Sequence, residues 1–322
     1  MGDGTGIAWT DATWNPVRGC SRVSRGCEHC YAEGVARRFS GPGMPYEGLV
    51  RLTPEGKPKA QWNGTVRLVP EHLADPLRWT KPRRVFVNSM SDLFHEALSF
   101  DDVARVFAVM IASPAHSFQV LTKRPARMRE FMATCDLRVE SAGRDLAREI
   151  EACHVNNDEP WPPANVWLGV SVEDQRAADE RIPVLLDTPA AVRWVSYEPA
   201  IGPVDWPSLG VIAPSPSRGT WTHGGTYEVR SGLHWIVVGG ESGPSARPFA
   251  IEWASRTIAQ CRTAGVPAFV KQLGALTVTE ERPGLEPGTW GWSFPRWADR
   301  KGGDPAEWPA DLRVREFPQV RS

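Results

Sequence analysis

The sequence predicts an α/β fold built on a mostly parallel sheet, and two observations predict it. Six short apolar runs rich in β-branched residues recur along the chain, and helix-like segments separate them. Most of the runs are nearly continuous in apolar character rather than alternating, the pattern of strands buried on both faces. Strand, helix, strand, repeated six or seven times, reads as an α/β barrel or a doubly wound sheet.

The strand runs are Val85-Phe86-Val87, Phe118-Gln119-Val120-Leu121, Val166-Trp167-Leu168-Gly169-Val170, Val192-Arg193-Trp194-Val195, Trp235-Ile236-Val237-Val238 and Ala268-Phe269-Val270. After Ser99, the acidic pair Asp101 and Asp102 opens a segment whose Val103, Val106, Phe107, Met110 and Ile111 recur at helical spacing. Carboxylates suit that end because helix N-termini carry partial positive charge. A second helix covers Asp174 to Leu186, bent or ended near Pro183. A third runs from Ile251 to Ala264, closed by Gly265 and followed by Pro267. Ala32 to Phe39 is also helical.

Three stretches break this rhythm. Residues 41–64 are rich in Gly and Pro, with a turn at Pro54-Glu55-Gly56-Lys57, and read as an inserted hairpin. Residues 203–232 read as a second surface insertion. The expected organisation is one α/β body over residues 1–275, with residues 276–322 a Pro- and Trp-rich extension packed on it.

Of the 322 residues, 41% are hydrophobic and 23% charged, enough for a real core and unlike a disordered chain. The net charge of -1 provides no global basic field, which leaves only local patches for a nucleic acid. No run of about 18 apolar residues occurs, and no basic segment followed by an apolar stretch opens the chain. A cytoplasmic protein without a membrane span is the expectation; the sequence leaves the oligomeric state open. Fifteen Trp against four Tyr are scattered along the chain, a pattern of packing more than of one motif.

Ligands of parallel α/β folds bind where the strands end in loops. Each run here ends in polar groups: Asn88, Ser89, Ser91 and Asp92; Lys123 and Arg124; Ser171 and Glu173; Tyr197 and Glu198; Glu241; and Lys271 with Gln272. Six such ends in succession, with carboxylates and cations both present, favour a polar ligand site.

Six cysteines are too few for a disulfide scaffold in a chain this long, yet Cys20, Cys27 and Cys30 crowd into eleven residues. In a reducing compartment this points to metal. A Cys-x-x-Cys turn brings two sulfurs to one centre, and Gly19 and Gly26 let Cys20 fold back to join them. Structural zinc wants a fourth ligand, and Cys135, Cys153, His72 and His95 are distant in sequence. A redox pair leaves Cys20 idle. A [4Fe–4S] cluster on three thiolates needs no fourth residue and leaves one iron for a small molecule.

The run Ile7-Ala8-Trp9-Thr10, Trp14-Asn15-Pro16, Gly19-Cys20, Gly26-Cys27 and Cys30-Tyr31-Ala32-Glu33 resembles the radical S-adenosylmethionine superfamily, in particular its phage-associated three-cysteine-motif family. Asn88 to His95, Leu121 to Pro125, Gly169 to Glu173, Ser196 to Pro199 and Gly239 to Gly243 fit the same family, so the likeness covers roughly residues 5 to 275. It implies a partial (β/α) barrel of six or seven strands with a [4Fe–4S] cluster on Cys20, Cys27 and Cys30. It also implies reductive cleavage of S-adenosyl-L-methionine to a 5′-deoxyadenosyl radical that abstracts hydrogen from substrate. Two features depart from the superfamily pattern. Six residues rather than three separate the first two cysteines, and Gly239-Gly240-Glu241 follows a late strand instead of the second.

Within that resemblance, position and charge assign the cofactor-binding candidates. Asn88, Ser89, Ser91 and Asp92 would meet the methionine amine, and Lys123 or Arg124 its carboxylate. Ser171, Glu173 and Glu198 would hold ribose hydroxyls or the sulfonium side, and Glu241 joins them without the amine role. Tyr197 is the candidate catalytic residue, as a radical relay. Cys135, Cys153 and Cys261 read as small apolar packing residues. The implied partners are a one-electron reductant of flavodoxin or ferredoxin type and a substrate that could be DNA or RNA. Phosphates would meet Arg22 to Arg25, Arg37-Arg38, Lys81 to Arg84 and Lys123 to Arg127. A small molecule or peptide is the other substrate reading, and a zinc-stabilised nucleic-acid-binding module is the non-enzymatic one.

Overall fold

The computed structural model describes residues 5–53, 59–149, 161–207, 215–220, 226–279 and 297–319. The Pro54 to Lys57 turn and Cys153 lie outside them. Seven strands form one sheet in strict chain order: β1 (Ala12–Trp14), β2 (Arg84–Val87), β3 (Ser117–Thr122), β4 (Val166–Val172), β5 (Val192–Tyr197), β6 (Trp235–Gly239) and β7 (Ala268–Gln272). Pairing is parallel for β1 with β2, β2 with β3, β5 with β6 and β6 with β7. A doubly wound sheet reverses its strand order at a switch point. This one does not, so the fold is α/β with the order of a partial (β/α) barrel. No helix among the described residues is long and apolar enough to cross a membrane.

Every residue of β4, β5 and β6 is buried, the structural counterpart of their continuous apolar sequence. Among the described residues, six helices of eight residues or more lie between or beside the strands: α1 (Tyr31–Arg38), α2 (Phe100–Ile111), α3 (Pro125–Thr134), α4 (Asp136–Glu149), α5 (Gln175–Leu186) and α6 (Ile251–Ala264). Ser99 caps α2 by accepting from the Asp102 N–H at 3.1 Å. Asp174 caps α5 through the Ala177 N–H at 3.0 Å. That helix runs through Pro183 to Leu186 rather than ending there. Gly265, at φ 65°, closes α6 in the left-handed conformation, and the Val266 N–H returns to the Cys261 carbonyl at 2.9 Å.

The chain divides into two compact units, residues 1–169 with 187–191, and residues 170–186 with 192–322. In the first, Asp11 and Arg84 tie β1 to β2: the Arg84 N–H and guanidinium both donate to the Asp11 carboxylate, at 2.8 to 3.2 Å. The 41–64 insertion is the expected hairpin, Val50–Leu52 antiparallel to Ala60–Trp62.

In the second unit, Ser215–Thr220 and Thr226–Ser231 pair as an antiparallel hairpin. The described part of the C-terminal extension packs rather than trails. The Val270 N–H donates to the Val314 carbonyl at 2.8 Å, and the Glu316 N–H to the Ala268 carbonyl at 2.9 Å. Trp308 and Leu312 are buried beneath it. The extension thereby covers the outer edge of β7, which would otherwise present unpaired backbone groups.

Candidate metal centre

The cysteine loop starts where β1 ends. Val17–Arg18 pairs antiparallel with Arg67–Leu68, and Gly19 then turns at φ 93°. A Cβ on Gly19 would lie 2.0 Å from the Thr65 carbonyl oxygen, so only glycine fits. Arg25–Cys27 forms a short 3-10 turn, and the Cys30 N–H closes back on the Cys27 carbonyl at 3.3 Å. Cys30 is the residue preceding α1, so α1 points its N-terminal end at the loop.

Cys20, Cys27 and Cys30 are free thiols of intermediate exposure. Burial pushes the Cys20 thiol up to about 12; the Asp92 carboxylate adds to the rise, Arg124 opposes it, and Cys30 and Cys27 add further. Burial also raises the Cys30 thiol, against backbone N–H donors from Ala32 and Glu33. Among the described residues, no group of three or more His, Cys, Asp or Glu side chains is drawn together as a metal site. The fit to a metal is one of donor chemistry and loop placement: three free thiols on one loop, with the buried Arg124 donating to Ser21 next to Cys20.

The structure brings the Asn88 to Asp92 turn against this loop. Ser91 bridges to Gly19 and its hydroxyl donates to the Val17 carbonyl at 2.8 Å. The Ser89 hydroxyl donates to Asn15 Oδ1 at 3.1 Å. Asn88 sits at φ 61°, accepts from the Val17 N–H at 3.3 Å, and keeps its Nδ2 buried without a hydrogen-bond partner. An unpaired buried amide is uncommon enough to need an explanation.

Asp92 is saturated from inside. Its Oδ1 accepts from Thr122 Oγ1 at 2.7 Å and the Phe94 N–H at 3.0 Å, while its Oδ2 accepts from the Lys123 N–H at 3.2 Å and Arg124 Nη1 at 3.0 Å. Arg124 also donates to Glu96 and, at 2.7 Å, to the hydroxyl of Ser21 next to Cys20. His95 Nε2 lies 2.8 Å from the same hydroxyl, and burial together with Arg124 holds its imidazole below its ordinary range. On the other side of the loop, Arg22 pairs with the buried Glu33 of α1. Ser21, Arg22, Glu33, His95 and Glu96 are the supporting residues that sequence reasoning missed as such. Glu33 carried a signal through its place in the Cys30-Tyr31-Ala32-Glu33 run and His95 through its place in the Asn88 to His95 run, while Arg22 stood among the candidate phosphate contacts.

The second unit holds the remaining predicted residues, each with an internal partner. Glu173 pairs with Arg181 at 2.6 Å, both buried. The Ser171 hydroxyl donates to the Glu198 carbonyl at 3.1 Å. The Glu198 carboxylate pairs with Lys271, passing the end of β6 at Gly239, where a Cβ would come within 3.2 Å of it. Glu241 takes a two-pronged contact from Arg247, at 2.8 and 3.1 Å. Tyr197 is fully buried, its hydroxyl donates to the Gly202 carbonyl, and burial raises its pKa well above the phenol range. Cys135 and Cys261 are buried as packing residues, as expected.

No curated protein and no solved structure shows significant similarity to the chain. One family model does match, described as a protein of unknown function (DUF5131), over residues 4–303. With all but the two ends of its sequence inside that match, the chain belongs to the DUF5131 family.

Proposed function

We propose that this chain is a radical S-adenosylmethionine enzyme in which Cys20, Cys27 and Cys30 hold a [4Fe–4S] cluster. The observation that carries the reading is the set of three free thiols on one loop after β1, with the Asn88 to Asp92 turn and the buried Arg124 braced against that loop. Of the histidines that a four-ligand zinc site would draw on, His72 pairs with Asp75, and His95 lies against the Ser21 hydroxyl beside Cys20. A three-thiolate set suits a cluster that keeps one iron for a small ligand. When bound, the cluster supplies a low-potential electron and S-adenosylmethionine supplies the 5′-deoxyadenosyl group that takes a hydrogen atom from substrate.

The chain's own residues then bind and orient. The buried Asn88 Nδ2 is an N–H donor, which suits a carboxylate oxygen better than the amine assigned to that turn from sequence. Asp92, saturated by Thr122, Phe94, Lys123 and Arg124, acts by fixing the loop and not by touching the cofactor. Arg124 holds Ser21, and through it the backbone beside Cys20. In the second unit the partly exposed Glu198 and Lys271 pair is the one best suited to meet hydroxyls of a ligand.

Metal analysis of anaerobically purified protein tests the cluster. About four iron with sulfide per chain is expected; stoichiometric zinc without iron overturns the reading. Reduced, loaded protein given S-adenosylmethionine should form 5′-deoxyadenosine, and Cys27→Ala should form none. A loaded wild type that forms none under strong reductant removes the catalytic part.

A further inference from the structure

We infer that the exposed face of residues 18–53 and 59–67, the module carrying the cysteines, is the docking surface for an acidic one-electron carrier protein. The inference rests on the cluster proposed above, and it starts from charge. Residues 18–67 contain nine Lys and Arg against four Glu, a net of 9 − 4 = +5, in a chain whose total is -1. Arg25, Arg37, Arg38, Arg51 and Arg67 are all exposed.

The second observation is apolar. Five of the six exposed large hydrophobic residues among those described belong to this module: Val23, Tyr31, Phe39, Met44 and Leu52. They ride on one packed body, since α1 meets the hairpin through a core of Ala32, Ala36, Leu49 and Trp62. The Tyr46 N–H donates to the Phe39 carbonyl at 2.9 Å, which ties the end of α1 to the Met44 turn.

Apolar side chains among cations form the pattern of a protein interface that steers an acidic partner and then excludes water. A nucleic acid would use the same cations, but it stacks on aromatic faces. Tyr31 and Phe39 provide such faces, but Val23, Met44 and Leu52, the larger part of the patch, provide none. Location supplies the third argument. Val23 lies between Cys20 and Cys27, and Tyr31 follows Cys30. Electron transfer weakens steeply with distance, so a carrier is useful only on the face that bears the cysteines.

The test compares wild type with Arg37→Glu/Arg38→Glu and with Phe39→Ser, each loaded anaerobically. The rate of cluster bleaching by a reduced flavodoxin should fall about tenfold or more in the double variant. Bleaching by dithionite, which needs no docking, should stay unchanged. Calorimetry with flavodoxin should show binding that weakens with salt and with each variant. Unchanged flavodoxin rates and binding in both variants overturn the inference. So does loss of single-stranded DNA binding in the double variant while the flavodoxin rate holds. Iron content of the same preparations judges the cluster separately: absent iron sinks the enzyme reading, whereas absent flavodoxin binding sinks the surface.

Discussion

The buried Glu33 carboxylate grips the Arg22 guanidinium with two hydrogen bonds, of 2.9 and 2.6 Å. Its Oε1 also accepts the Trp62 N–H at 3.1 Å, so one side chain on α1 joins the cysteine loop to the inserted hairpin. Glu33→Ala leaves a buried N–H and a half-buried cation without their acceptor. A loss of about 1–3 kcal/mol in urea unfolding is expected, together with reduced iron retention on gel filtration. Retention equal to wild type would show that the loop holds its shape without this tie.

Gly19→Ala tests the turn before the first cysteine. The added Cβ meets the Thr65 carbonyl oxygen at 2.0 Å, and the left-handed backbone disfavours any L side chain. Relief requires the loop to part from the strand Arg67–Leu68. The expected cost is about 2–4 kcal/mol by denaturant unfolding, and the variant should load less metal than wild type.

Arg181→Met tests the buried pair of the second unit. The substitution takes the Arg181 guanidinium from Glu173, which is 1% exposed, and should cost about 3–5 kcal/mol. The double variant Glu173→Leu/Arg181→Met removes both charges and should recover most of that loss. A double variant as unstable as the single would show that packing, not charge, dominates there.

The Asp11 carboxyl is held below its ordinary 3.8, first by its hydrogen bonds with the Arg84 side chain. A depressed folded-state value gives stability that is present above pH about 3.8 and lost as pH falls through the folded value. The carboxylate is 45% exposed, so solvent screens the pair to about 0.5 kcal/mol. Asp11→Asn should therefore lower Tm by about 1–2 °C at pH 7 and by nothing measurable near pH 2. A difference that persists at the acid end would assign the effect to packing.

Removing residues 304–322 tests the covered edge. Trp308 and Leu312 leave the core, and the Val314 and Glu316 hydrogen bonds to β7 disappear. The truncated chain should self-associate, read as a concentration-dependent rise in light scattering. A monodisperse truncated chain would show that the edge is protected some other way.

Six of the seven strands were legible because residues such as Val166 to Val170 are apolar without a break, and only burial on both faces tolerates that; β1, three residues with Thr13 at the centre, was not among the apolar runs. α2 was legible from Ser99 and the acidic pair behind it. α3 and α4 were not: Pro125–Thr134 mixes charge into its apolar face, and Asp136–Glu149 follows it after a single residue. The three cysteines announced themselves by spacing. The partners of the strand-end carboxylates did not, because Glu173 meets a residue eight positions on and Glu241 one six positions on. Neither separation is a helical neighbour spacing, so the pairing exists only once the loops are folded. Lys271 was visible as a strand end, but its reach to Glu198 depends on Gly239 lacking a side chain.

Arg124 reaching Ser21 sets a timetable for the protein's maturation. All three thiols have been synthesised by residue 30, but the turn that braces them follows some sixty positions later and the arginine beside Cys20 about a hundred. A nascent chain shorter than that carries the sulfurs on a loop with no frame. Metal delivered so early would find flexible thiols open to air and to the wrong ion, so productive loading belongs after the third strand has been made.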